Sequence, residues 1–326
     1  MLKITILIPV YNESANIAGL HAALCSLSST KTAITAEGTQ QEVDPAEYEW
    51  EFLFVNDGSR DNSQELLTEL RGRDPRVNVV CFSRNFGKET ALLAGMDFAT
   101  GDAVIIMDGD LQHPVETVPE MIYWWRRGYD DVYGKRVKRG KESWLRRRLT
   151  RVYYRLLGNA SRTPMLPGAG DFRLLSRKAI NALKAIRESQ RYTKGLYCWV
   201  GFNKKAVEFE TRDRAAGKST FNYRALFNLA VDGITSYTTS PLRIASVLGV
   251  AVALCAILYL IFVVVKYLIY GESVQGYPTI ICLILFLGGV QLLALGIIGE
   301  YIGRIFVESK RRPPYVVDNF NGEEPS

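Results

Sequence analysis

The chain has little that could cross-link it. Its five cysteines, Cys25, Cys81, Cys198, Cys255 and Cys282, show no paired spacing. Neither a disulfide framework nor a zinc site is indicated. Histidine occurs only twice in 326 residues. His21 reads as a helix-surface residue and His113 as a group that stabilises the turn before Pro114. No secretory signal precedes the first apolar run, so the N-terminal domain is expected to stay on the side where it was made. Charge is missing from two long stretches. Residues 244–265, about 22 positions, and 277–299, about 23, carry none, and each is long enough to cross a ~30 Å hydrocarbon core. The near-zero mean hydropathy of the whole chain averages over this asymmetry.

The distribution of basic residues orients these spans. Lys310-Arg311-Arg312 follow the second and Arg243 precedes the first, whereas the connecting loop 271–276 has no Lys or Arg. The positive-inside tendency then puts both termini in the cytoplasm and the short loop outside. Lys266 falls near the outer end, where a long side chain can snorkel. The net charge of +6 would suit nucleic acid, but the basic residues cluster beside membrane-facing segments. Anionic lipid headgroups are the better partner, and no nucleic acid is expected.

The first two thirds of the chain alternate strand and helix signals. The apolar runs 4–8, 51–55, 77–81 and 103–107 are rich in β-branched residues and are separated by helix-compatible segments. This βαβα pattern predicts an α/β fold with a mostly parallel, Rossmann-like sheet. Residues 28–47 break the rhythm and read as an inserted surface loop. Two further segments, 144–157 and 221–234, carry apolar residues at helical spacing. In the first, Leu145, Leu149, Val152, Tyr153 and Leu156 alternate with arginines, which suits a basic amphipathic helix lying in the headgroup plane or one packed on its own domain. The second leads into the first span and reads as interfacial. The expected organisation is a catalytic domain over 1–215, an amphipathic juxtamembrane segment over 216–240, a two-helix transmembrane anchor over 241–307 and a cytoplasmic tail over 308–326.

Asp108-Gly109-Asp110 closes the fourth apolar run. Two carboxylates one residue apart at the carboxyl end of a buried strand present hard oxygens to a divalent cation that bridges a diphosphate. Pro9-Val10-Tyr11-Asn12-Glu13 ends the first strand, Val55-Asn56-Asp57-Gly58-Ser59 the second, and Ser83-Arg84-Asn85-Phe86-Gly87-Lys88-Glu89 follows the third. With these four motifs in order, the chain resembles the family-2 inverting glycosyltransferases of GT-A fold. It is most similar to the polyisoprenyl-phosphate subgroup, which includes dolichol-phosphate mannose synthase and the bacterial bactoprenol glucosyltransferases. Val132 to Arg136, Gly170 to Ser176 and Gly217-Lys218-Ser219 resemble the later motifs of that subgroup. The likeness spans nearly the whole chain, the 28–47 loop being the main departure.

The resemblance implies a nucleotide-sugar donor, a polyprenyl phosphate acceptor and Mg²⁺ or Mn²⁺. It places base and ribose near Pro9, Tyr11, Glu13 and Asp57. Asp108 supports the nucleotide, and Asp108, Asp110 and Gln112 form the metal shell. A lipid phosphate is already anionic, so it needs cations to hold it beside the anomeric carbon more than it needs a strong base. Arg136, Lys218 and Ser219 are the candidates, with Arg84 and Lys88 in support; guanidinium suits bidentate phosphate contact. Asp171 occupies the position of a catalytic base in many inverting transferases, or it orients Lys, Arg or the sugar. By resemblance the donor is UDP-glucose, with other UDP-sugars and GDP-mannose behind it. A bacterial inner-membrane location and a homo-oligomer, such as a tetramer, are also implied. Gly288-Gly289, Gly296, Gly299 and Gly303 leave room for close helix packing.

Several matches are set aside. Ala216-Gly217-Lys218-Ser219 resembles a P-loop end, but Arg212 stands where its first glycine is required. Gly168-Ala169-Gly170 lacks the third glycine of a dinucleotide fingerprint. The sequons at Asn12 and Asn159 lie on the wrong side of the membrane. A processive polysaccharide synthase would be expected to carry a Gln-x-x-Arg-Trp motif and more spans. An inactive membrane scaffold or lipid carrier would have no need of the intact acidic motifs.

Overall fold

The structure is a computed structural model that describes residues 1–36, 39–137, 169–189, 191–210, 240–270 and 276–324. These fall into two compact units, one formed by the N-terminal region together with the C-terminal segment from Pro313, the other containing two long helices. The expected helices at 144–157 and 221–234, together with Lys218 and Ser219, lie outside the described residues.

The first unit is built on an eight-stranded sheet. Its elements in chain order are β1 (Leu2–Val10), α1 (Ile17–Ser29), β2 (Thr32–Ala36), β3 (Thr39–Val43), β4 (Tyr48–Asn56), α2 (Ser63–Arg73), β5 (Val77–Phe82), α3 (Lys88–Phe98) and β6 (Ala103–Ile106). They continue with α4 (Val118–Arg126), β7 (Asp131–Arg136), β8 (Ala169–Ser176), α5 (Arg177–Ala185), α6 (Thr193–Trp199), β9 (Lys204–Phe209) and, at the C-terminus, β10 (Val317–Phe320). The strand order is β10-β5-β4-β1-β6-β8-β7-β9. The four expected strands are its parallel centre, with Ile6 opposite both Phe52 and Ile105. They are apolar on both faces because both are covered. Ile4, Ile6, Ile8, Phe52 and Phe54 pack with Leu20 and Leu24 of α1 on one face. Leu7, Leu53 and Val55 pack with Leu92 of α3 and Ile180 of α5 on the other.

The strands beyond β6 decide where the later motifs go. β8 runs antiparallel to β6, with Ile106 opposite Arg173, and β7 runs antiparallel to β8, with Tyr133 opposite Arg173. The start of β8 and the end of β7 therefore share the rim where β1, β4, β5 and β6 end. That register puts Asp171 and Arg136 at the same edge as Asp57 and Asp108.

Two segments differ from expectation. The 28–47 region is not a loop: α1 extends to Ser29, β2 and β3 form an antiparallel pair with Ile34 opposite Gln41, and a short 3₁₀ turn spans Pro45–Glu47. Ile34 is buried and the pair packs against α4, so one large apolar side chain anchors an otherwise polar ribbon. The C-terminal segment, read from sequence as a tail, contributes β10 antiparallel to β5. Tyr315 stacks on Phe82 at 5.2 Å and donates to Asp97 at 2.7 Å, and Phe320 lies 5.0 Å from Phe98. Asn321 accepts from Val79 N at 2.8 Å.

The second unit contains α7 (Ser240–Tyr270) and α8 (Tyr277–Ser309), which pack against each other. Mean hydropathy reaches 2.6 over Gly249–Lys266 and 1.6 over Phe286–Ser309, and these windows are not buried by protein. Both helices are long and apolar enough to cross a membrane. Large side chains such as Leu258, Phe262 and Leu292 point outward, as lipid-facing residues do.

Candidate active site

The rim is assembled from short turns that stitch strand ends together. Asn12, held at φ 55°, donates its N–H to Ser59 Oγ at 3.0 Å and accepts from Arg60 N at 2.8 Å. Glu13 N donates to Ser63 Oγ at 3.0 Å. Gly58 is required twice over: φ is +62°, and a Cβ there would lie 2.5 Å from the Arg84 carbonyl carbon. The β4 turn therefore nests directly on the backbone that follows β5.

Asp57 locks that arrangement. It is buried, and its two oxygens accept from Phe86 N at 2.6 Å and Gly87 N at 2.9 Å. Burial pushes its pKa up, and the two N–H groups pull against that shift. The predicted nucleotide ligand thus already has a backbone partner on each oxygen. A carboxylate oxygen has a second lone pair, so contact with a ligand is still open to it. Tyr11, just beyond the end of β1, is 42% exposed. Arg84 is exposed, with its guanidinium 3.9 Å above the Phe86 ring.

The acidic motif forms a second cluster. A Cβ built on Gly109 would lie 3.6 Å from Pro9 O and 3.8 Å from Glu13 Cγ, so the motif rests against the end of β1. Leu111 takes φ 58°, a costly conformation for a leucine and of the kind found at functional turns. Asp110 Oδ1 accepts from Gln112 N at 3.1 Å. Asp108 N donates to Nδ1 of buried His113 at 3.1 Å, and that ring stacks on Phe172 at 4.7 Å. Burial lowers the His113 pKa, which keeps Nδ1 available as an acceptor. His113 therefore does more than stabilise a turn, because it carries the backbone of the first acid. Arg136 ends β7 on the same rim, exposed, and its charge opposes protonation of His113.

Lys88 joins this cluster to β8. Its Nζ is 2.6 Å from Asp108 Oδ1 and 3.0 Å from Asp171 Oδ2. Desolvation lowers the Lys88 pKa, but the two carboxylates outweigh it and raise the value above that of an ordinary lysine. Lys194, which sequence reasoning missed, lies 3.8 Å from the same Asp171 oxygen. It arrives there because α6 is tied to α3 through Thr193 N and Glu89 at 2.9 Å. Burial works against ionisation of Asp171, yet Lys88 and Lys194 prevail and hold its pKa below the ordinary carboxylate range. Its Oδ1 is buried and has no hydrogen-bond partner among the described residues. Two residues along, buried Arg173 pairs with Asp131 at 3.0 Å and donates to Gly170 O at 2.9 Å, which fixes the start of β8.

Three comparisons with known proteins bear on the chain. Residues 5–184 match the glycosyl transferase family 2 model. The chain belongs to that family. Residues 240–305 match a second model, the GtrB C-terminal hairpin, over the two apolar helices. Putative glycosyltransferase CsbB of Bacillus subtilis is 43% identical over 98% of this chain and 92% of its own length. The bactoprenol glucosyl transferase of Shigella phage SfV is 41% identical over 98% and 99%. Among solved structures, glucosyl-3-phosphoglycerate synthase from Mycobacterium tuberculosis with Mn²⁺ and UDP-glucose is similar at 19% identity and TM-score 0.43, covering 71% of this chain and 76% of that one. That likeness is too distant to carry its ligands across. The GT-A fold of a family-2 glycosyltransferase accounts for the parallel centre and the antiparallel β8 beside β6.

A different group, His21, Cys25 and Asp74, brings three ligand-type atoms within 4.8 Å of one another. Arg76 lies 2.8 Å from Asp74 and 3.3 Å from Cys25 Sγ, supplying the positive charge that a metal would bring. It is a structural ion pair away from the family's motifs.

Proposed function

We propose that the protein transfers one sugar from a nucleotide-sugar, with UDP-glucose as the leading donor, to a polyprenyl phosphate such as undecaprenyl phosphate, inverting the anomeric centre. The observation that carries this reading is the cluster at one rim of Asp108, Lys88, Asp171 and Lys194. Full-length similarity to a bactoprenol glucosyl transferase supports the acceptor class.

The donor set fits a hard divalent cation. Asp108 and Asp110 supply carboxylate oxygens, and the Lys88 ammonium on Asp108 is a cation already accepted there. Asp108, Asp110 and Gln112 would hold Mg²⁺ or Mn²⁺, which when bound supplies positive charge to the departing diphosphate. Pro9, Tyr11, Glu13 and the free lone pairs of Asp57 would receive base and ribose. A carboxylate held below its ordinary pKa is a weak base. Asp171 therefore serves as an orienting group that holds Lys88 and Lys194 at the rim, and the anionic lipid phosphate attacks without deprotonation. Arg136, Lys88 and Arg84, together with Lys218 and Ser219, would hold that phosphate.

Connectivity supports the membrane arrangement. A chain that leaves the sheet after β9 and rejoins it as β10 crosses an even number of times, in keeping with two spans. Lys310-Arg311-Arg312 favour the cytoplasm for that return, and hence for the catalytic domain.

The test is a donor panel. Purified protein, polyprenyl phosphate, Mn²⁺ or Mg²⁺ and each radiolabelled nucleotide-sugar in turn should yield a mild-acid-labile lipid-linked monosaccharide, most rapidly from UDP-glucose. A growing polymer would replace this reading with a processive synthase. No turnover from any donor, with lipid binding retained, would replace it with a carrier.

A further inference from the structure

We propose that Lys88 is an exchangeable counter-cation: it competes with the divalent cation for Asp108, so that metal loading releases its ammonium from Asp108 toward the substrate phosphates. This rests on the metal assignment at Asp108 and Asp110.

Lys88 Nζ sits 2.6 Å from Asp108 Oδ1. A divalent cation on the same oxygen, at about 2.1 Å, would come within about 4 Å of the ammonium, and like charges so close repel strongly at any dielectric found in a protein. The two cations therefore compete for that oxygen. Lys88 has a second anchor, Asp171 Oδ2 at 3.0 Å, so the displaced side chain remains in the site. An ammonium has three donors, and with one on Asp171 two are left for phosphate oxygens.

The backbone beneath Lys88 is held by hydrogen bonds, whereas its ammonium is held by the two carboxylates alone among the described residues. Gly87 N is bonded to Asp57, and Thr90 N and Ala91 N donate to Gly87 O at 3.1 and 3.0 Å. The Lys88 side chain is 44% exposed. Exchange therefore needs only rotamer changes, which are fast in exposed side chains. Without metal, Lys88 neutralises two carboxylates that would otherwise repel. With metal, the same ammonium becomes available to bind phosphate.

Lys194 provides an internal control, because it lies beside Asp171 at 3.8 Å and its only ion pair among the described residues is with that acid. Mn²⁺ binding, without nucleotide, is measured on the purified full chain by electron paramagnetic resonance. Lys88→Met should tighten Mn²⁺ binding by about tenfold or more, whereas Lys194→Met, removing equal charge, should tighten it less than about threefold. Lys88→Arg should stay within about threefold of the parent. Lys88→Met binding no tighter than Lys194→Met would overturn the proposal. Equal Mn²⁺ affinity in the parent and in Asp110→Ala would overturn the metal assignment itself, and this inference with it. A second measurement needs no variant: saturating Mg²⁺ should raise acetylation of Lys88 relative to Lys194, read by peptide mass spectrometry. An unchanged ratio would count against exchange.

Discussion

Asp57 and Asp108 both stand at the ends of parallel strands and both follow an apolar run, yet their partners differ in kind. Asp57 accepts from two backbone N–H groups of the β5–α3 turn, donors that cannot leave. Asp108 accepts from the ammonium of a half-exposed lysine, a donor that can. The β5 side of the rim is therefore built as a scaffold, and the β6–β8 side is the one we propose for binding. A carboxylate with permanent partners fixes the shape of a site. One with a replaceable partner takes part in its chemistry.

Breaking the scaffold should have the largest effect. β10 holds β5 from the side opposite β4, and Val316 O accepts from Ser83 N at 3.1 Å, just before the turn that binds Asp57. Deleting residues 313–326 uncovers Phe82 and Phe98 and should cost about 3 kcal/mol or more, read as a lower unfolding midpoint in urea. A midpoint unchanged by the deletion would show that the scaffold does not need the returning strand.

The two acids should then separate cleanly. Asp57→Asn sets an amide donor against a backbone N–H and should cost about 1–3 kcal/mol of stability. Asp108→Asn, whose ion pair is part-exposed, should cost less than about 1 kcal/mol of stability. It should nevertheless lower transfer by about a hundredfold, close to 3 kcal/mol of transition-state stabilisation. Equal stability losses in the two variants would erase the distinction.

The smallest effect concerns His113. Its pKa is depressed in the folded chain, so the stability it lends is present above the ordinary histidine value and is lost as pH falls toward the folded one. Between pH 7.5 and 5.5 the parent should lose up to about 1 kcal/mol more than His113→Asn, which keeps an acceptor for Asp108 N but does not titrate. Identical pH profiles in urea unfolding would remove His113 from the account.

The sequence made half of this rim legible. The central strands announce themselves because burial on both faces leaves unbroken apolar runs, and each run ends in turn residues that mark the rim. Asn56-Asp57-Gly58-Ser59 was readable as a site motif, but its scaffold role depends on N–H groups from a turn about 30 residues away. Lys194 looked like any of the 40 basic residues. Only the docking of α6 on Glu89 distinguishes it. The β2–β3 ribbon was hidden by its polarity, since only Ile34 and, partly, Val43 of its described side chains pack into the core. β10 was hidden by distance, because its partner β5 lies more than 200 residues earlier and four residues carry too short a pattern to read. Asp171 was singled out by motif, and its position at the rim and its lowered pKa both come from the fold, which sets it beside two lysines.

In the proposed reaction the β6 end of the rim binds the leaving diphosphate during sugar transfer to a lipid phosphate. Undecaprenyl phosphate and radiolabelled UDP-glucose, incubated with Mn²⁺ and either the parent chain or Asp110→Ala, test it most directly. The account predicts a mild-acid-labile lipid-linked sugar from the parent and none from the variant, with both proteins showing the same unfolding midpoint. Equal product from a folded Asp110→Ala would contradict it.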